Sequence, residues 1–271
     1  MCHTSGREEC AKLSQPEQVS TAASRVGLFR GVGQIFRYNW HFYAVAAASD
    51  LFVGILLLRF SLSSPIRIPL YFIVVIATFW ILSSLLVSHY IYDRSALYKW
   101  DWLEGFLTGP PTSWVNIHAG LDASSQELMR LFPTSKRRIL DIYLPSEMSE
   151  PSIRRARTQA QPAVIWEKSS PTELPLEDGA WDTVFLIFVI HELRSREMRV
   201  RFFREIRRSL SSNGQVVLVE HLRDWKNWVA YGPGALHFFS EREWKRSFES
   251  AGFQVISQVQ VTPFIRCFLL R

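Results

Sequence analysis

The chain has 271 residues, 48% of them hydrophobic and 14% aromatic, with 10 Trp. That is too apolar for a disordered protein, and long enough for one α/β domain plus an appendage. A net charge of +6 leaves nucleic acid, an anionic membrane surface or cytoplasmic loops beside a span as readings, while three scattered cysteines, Cys2, Cys10 and Cys267, argue against a disulfide framework and for a reducing compartment.

Residues 1–37 lack apolar periodicity and the charged-then-apolar order of a secretory signal, so they read as a flexible tail. Residues 38–92 read as a transmembrane helical hairpin. Its apolar stretches, 42–58 and 68–87, are each near the ~20 residues that cross hydrocarbon, and Ser61, Ser63, Ser64 and Pro65 lie between them. A buried pair of core helices is the competing reading; the complete absence of charge from the second stretch favours the bilayer. Tyr38, Trp40 and Tyr43 around the start of the first stretch, and Tyr90, Tyr92 and Trp100 after the second, suit the headgroup layers. Arg25, Arg30 and Arg37 ahead and Arg94 and Lys99 behind outnumber Arg59 and Arg67 in the turn, which puts both ends on the cytoplasmic side. Asp50 either serves a function inside the span or bonds Ser49, Ser83 or Ser84 within the hairpin. Residues 93–111 read as a linker.

From residue 112 onward, short apolar runs alternate with helical stretches, the pattern of a parallel sheet wound with helices. The expected order is strand 114–118, helix 124–131, strand 138–143, helix 149–160, strand 182–190 and helix 196–210. Asn213-Gly214 reads as the stop of that last helix, leading into strand 215–220. Helix 241–251 follows, then strands 253–261 and 264–270, too close together for anything but an antiparallel pair. The fold class is therefore α/β: a Rossmann-like doubly wound sheet with a C-terminal antiparallel hairpin, preceded by a two-helix transmembrane hairpin.

Four stretches resemble the class I S-adenosylmethionine-dependent methyltransferases. Leu174–Asp182 (LPLEDGAWD) is similar to that family's LPFPDGSFD segment, and Phe203–Gly214 (FREIRRSLSSNG) to its LREIRRVLKPGG helix and turn. Val216–His221 is similar to its LVLVEH strand, and Ala251-Gly252-Phe253 to the AGF before its penultimate strand. The resemblance covers roughly residues 112–271 and is nearest to a bacterial group with a two-span hairpin and a first loop reading His-Ala-Gly-Leu-Asp.

The resemblance implies S-adenosyl-L-methionine as cofactor, held by Asn116, His118, Ala119, Gly120 and Asp122 in the loop after the first strand. Asp141, at the end of the second strand, would meet the ribose hydroxyls. Of the family's loop glycines this chain keeps only Gly120, so either a divergent loop still holds the cofactor or the site has lost it. Asp122 also suits a helix cap. The family's acid toward the adenine falls at Ser170, with Glu167 or Glu173 as substitutes.

Ligands of doubly wound sheets lie beyond the carboxyl ends of the strands, which makes His191, Glu192 and His221 the catalytic candidates, with Glu220 and His237 beside them. His191 leads, as a neutral imidazole able to take a proton. No spacing along the chain resembles a zinc set, so no metal is expected. An anchor in the bilayer points to a small-molecule or lipid acceptor (a quinone, a phenol or a lipid) and away from nucleic acid, and the arginines of 194–208 suit either anionic lipid or a solvated face. The alternative is a membrane scaffold or sensor that keeps the fold without methyl transfer.

Overall fold

A computed structural model describes residues 29–159 and 164–271; the tail reading of residues 1–28 lies outside the described residues. Helix α1 (Arg30–Arg59) begins inside the segment read as tail, and α2 (Ser64–His89) returns antiparallel to it. Both are long and apolar enough to cross a membrane, and few residues of their apolar stretches are buried. Helices of a soluble core bury that surface instead. Asp50 accepts a hydrogen bond from Thr78 Oγ1 at 2.9 Å, so its partner is a threonine of α2 and not one of the serines expected.

The segment read as a linker is packed structure. It forms a π-helical turn (Tyr90–Arg94), a 3-10 turn (Leu97–Lys99) and helix α3 (Asp101–Phe106). Ile91, Leu97, Trp100, Leu103 and Phe106 are buried against one face of the sheet. Trp and Leu at close spacing supply an apolar face that a true linker lacks.

The sheet has seven strands in the order β3-β2-β1-β4-β5-β7-β6. Strands β1 (Ser113–His118), β2 (Lys136–Asp141), β3 (Glu167–Lys168), β4 (Trp181–Ile187) and β5 (Leu210–His221) are parallel, and β7 (Ile265–Leu270) runs antiparallel between β5 and β6 (Val255–Thr262). The order reverses between β1 and β4, which is where doubly wound sheets place their ligands. Alternate residues face opposite sides. Val216 and Leu218 meet α6 (Arg196–Ser209) and α8 (Glu241–Ser250), while Val217 and Val219 meet α3 and α4 (Ser125–Leu131).

Two local features depart from the sequence reading. α6 ends at Ser209 and runs straight into β5, so Asn213-Gly214 is not its stop. The helix's terminal carbonyls, Arg208 and Ser209, accept the N–H groups of Gly179 and Ala180 at 2.9 and 3.0 Å, so a neighbouring loop does the work of a glycine cap. The two-residue β3 was not foreseen; it pairs with Leu140 and Asp141 on β2.

Candidate active site

The first group of candidates sits where β1 ends. Asn116 is fully buried, and its Nδ2 donates to Ser125 Oγ at 2.7 Å, Ser124 Oγ at 3.0 Å and Asp122 Oδ1 at 3.3 Å. Asp122 Oδ1 also accepts the backbone N–H of Ser124 and Ser125. Both residues therefore tie the loop to the start of α4, with Asp122 as the cap. Gly120 has φ +104° and donates its N–H to His118 Nδ1 at 3.0 Å. Any side chain at 120 would strike Arg157 from α5 (Pro151–Gln159). Ala119 is buried, and Leu121 is exposed.

β2 pairs with β1 so that Asp141 lies opposite His118. Asp141 Oδ1 accepts Arg157 Nη1 at 2.9 Å and the Tyr143 N–H at 3.1 Å, and the guanidinium also lies over the Tyr143 ring. Three buried polar atoms here have no partner, Asn116 Oδ1, His118 Nε2 and Asp122 Oδ2, while Asp141 Oδ2 lies 2.9 Å from Arg157 Nη2. Buried polar atoms are rarely left so. A donor and two acceptors grouped around a positive-φ glycine suit the hydroxyls and charged groups of a nucleoside-bearing ligand, provided Arg157 moves aside. Glu167 is paired with Arg138, and Glu173 and Ser170 lie exposed in a turn; none of the three is buried with the loop.

The second group sits at the ends of β4 and β5. Phe188, at φ +53°, turns the chain out of β4 into a 3-10 turn (Ile190–Glu192). Fully buried Glu220 holds that turn: Oε1 accepts the N–H groups of Ile190 and His191 at 3.0 and 3.3 Å, and Oε2 meets His191 Nδ1 at 2.7 Å. His191 Nε2 lies 3.5 Å from Glu192 Oε1. Burial pulls the His191 pKa down, but the Glu220 charge and the bonds to both carboxylates outweigh it and push it up to about 10. His191 is thus a cation at neutral pH, which corrects the expectation of a neutral imidazole. Burial raises the Glu192 carboxyl, yet His191 overrides it and holds Glu192 below its ordinary value. Glu192 Oε2 is buried without a partner.

His237 arrives from a 3-10 helix (Gly232–His237), its ring 5.1 Å from that of His191. Burial, then the charge on His191, brings its pKa down to about 4. Among the described residues, His191, Glu192 and His237 bring donor atoms within 4.8 Å of one another. Spacing along the chain could not reveal this trio, because His237 belongs to a distant element. His191 is already engaged by two carboxylates.

His221, the third catalytic candidate, faces away. Neighbouring strand residues point to opposite faces, so Glu220 meets the His191 turn while His221 meets the π-helical turn at the end of α2. Its Nε2 lies 3.0 Å from Tyr92 Oη and its Nδ1 3.3 Å from Asn227 Oδ1, and its ring stacks on Phe238 at 4.6 Å. Burial drives its pKa down to about 3. Both ring nitrogens are taken, so His221 is a structural joint and not a free base; the strand's period of two was the signal that separates it from Glu220.

Comparison with known proteins agrees with this architecture. Residues 123–218 match the family described as Methyltransferase domain. A SAM-dependent methyltransferase from Aquifex aeolicus is similar in structure, with TM-score 0.50 and 20% identity over 66% of this chain and 93% of that one. The pyocyanin biosynthetic protein PhzM is similar with TM-score 0.53 and 15% identity over 89% of this chain and 72% of that one. No curated protein matches the chain.

Proposed function

We propose that this chain, whose C-terminal part carries a methyltransferase-domain match on the class I methyltransferase fold, is a membrane-anchored enzyme that methylates a small or lipid-soluble acceptor. The observation that carries the proposal is the set of unpartnered buried atoms, Asn116 Oδ1, His118 Nε2 and Asp122 Oδ2, around Gly120 at the switch point of the sheet. Asp141 would hold the ribose hydroxyls of S-adenosyl-L-methionine, with His118, Ala119, Gly120 and Asp122 along its methionine part. When bound, that cofactor supplies an electrophilic methyl group.

The protein's share of an in-line displacement is alignment and removal of one proton. Glu192 Oε2 is buried, anionic and unpartnered, and is the atom suited to receive the acceptor's proton. The His191 cation, fixed by Glu220, would steady negative charge forming on a phenol or similar acceptor oxygen. Two helices long and apolar enough to cross a membrane support a site beside a bilayer, and the arginines flanking them favour the cytoplasmic face. That location supports a quinone, phenol or lipid acceptor.

Titrating the full chain in detergent with S-adenosylmethionine tests cofactor binding. Mass spectrometry of lipid extracts from cells with and without the gene, searching for pairs differing by one methylene, tests transfer. No binding at millimolar cofactor would sink the proposal. Binding without any methylated product would favour a scaffold or sensor.

A further inference from the structure

The hairpin does not account for all the apolar surface near it. Helix α7 (Trp225–Tyr231) and the 3-10 helix after it pack against α2. Their contact is close: a side chain at Gly232 would run into the Trp80 ring. α7 is built inside out. Its inward face buries Asn227, which donates to Asp224 and the Phe264 carbonyl and meets His221. Its outward face presents Trp225, 73% exposed, with Trp228 and Val229 at helical spacing, and the 3-10 helix adds Leu236, 54% exposed. Water on that face would be unfavourable by roughly 25 cal/mol per Å² of apolar surface.

Depth says what covers it. Trp80 lies seven residues before Val87, the end of the apolar stretch 68–87, which at about 1.5 Å per residue is roughly 10 Å into the hydrocarbon side of the boundary. Helices lying in a membrane interface bury their apolar face by about 5–10 Å. Arg223 is exposed just ahead of α7 and Lys226 lies on it, placed for anionic headgroups.

We infer that residues 225–236 are a second membrane-contacting element, a shoulder seated in the leaflet beside the hairpin, with the site opening onto that leaflet. The shoulder is followed by His237 and Phe238, which pack on His191 and His221 respectively. An apolar acceptor dissolved in the leaflet therefore meets the His191 turn without crossing bulk water. This route rests on the proposed methyl transfer; the seating of the shoulder does not.

The test uses the full chain in nanodiscs containing phosphatidylglycerol, with Cys2 and Cys10 replaced by serine and buried Cys267 left in place. Nitroxide labels go on Trp228→Cys, Leu236→Cys and, as a water-facing reference on α6, Arg204→Cys. Collision with oxygen exceeding collision with a water-soluble nickel chelate at 228 and 236, with the reverse at 204, is the expected result. Equal behaviour at all three sites, or shielding of 228 and 236 from both reagents as in a protein contact, overturns the inference. Brominated lipids give a second measurement without labels: they quench the unlabelled chain, and Trp225→Phe with Trp228→Phe removes much of the quenching. Unchanged quenching in that double variant overturns the inference as well. Neither readout requires turnover, so its failure is separable from failure of the methyltransferase proposal.

Discussion

The hydroxyl of Tyr92, just beyond the second long apolar helix, lies 3.0 Å from His221 Nε2 at the carboxyl end of the central strand β5. Asn227 holds the other ring nitrogen, so the neutral ring joins three elements: the end of α2, the sheet and α7. Removing the hydroxyl in Tyr92→Phe leaves a buried acceptor unsatisfied, which costs about 1–3 kcal/mol. Thermal melts in detergent should show that loss, with turnover per folded molecule near wild type. A variant as stable as wild type, or one inactive while fully folded, would contradict a joint without a chemical role.

Arg157 and a bound ribose compete for Asp141. Freeing that carboxylate in Arg157→Ala should tighten S-adenosylmethionine binding about tenfold, equivalent to about 1.4 kcal/mol. Calorimetric titration reads this directly. Weaker binding in the variant would show instead that the guanidinium clasps the ligand.

At Gly120 the backbone sits at φ +104°, a region that penalises any Cβ by roughly 1–2 kcal/mol. The Gly120→Ala methyl also fills space that Arg157 now occupies and that the cofactor's methionine part would need. Cofactor affinity should fall at least tenfold while the fold survives, as seen by circular dichroism beside the same titration.

His191 should make stability depend on pH. Burial lowers its pKa, but Glu220 on β5 and Glu192 on the same turn outweigh that, and the result is a pKa raised from 6.5 to about 10. A group raised in the folded state contributes stability that is complete below its unfolded value and is lost as pH rises through the folded one. Melting temperature should therefore fall between about pH 6.5 and 10. Glu220→Gln removes the largest upward cause and should flatten that decline; a decline of equal depth in the variant would show that other groups produce it.

Chelation separates two readings of His191, Glu192 and His237. Because both carboxylates already hold His191, dialysis against EDTA should leave cofactor binding and turnover unchanged. Loss of activity that added zinc restores would assign those donors to an ion.

Much of the architecture was legible along the chain because its signals are local. Two long apolar stretches announce a hairpin, apolar runs alternating with amphipathic helices announce a wound sheet, and Thr262-Pro263 between two close strands announces an antiparallel end. Gly120 and Asp141 could be placed at strand ends for the same reason. The linker reading failed because Trp100 and Leu103 gain meaning only against the sheet face that buries them. The helix stop at Asn213-Gly214 failed because Gly179 and Ala180, from another loop, satisfy the carbonyls first.

Chemistry at the site was decided by partners far apart in sequence. A histidine by itself does not say whether it is charged: Glu220 makes His191 a cation, while burial keeps His221 neutral and Tyr92 and Asn227 engage its two nitrogens. The sequence determined which elements form, because periodicity and turn residues act over a few neighbours. Only the tertiary structure determined which charges meet, because burial and electrostatic pairing depend on distance through space.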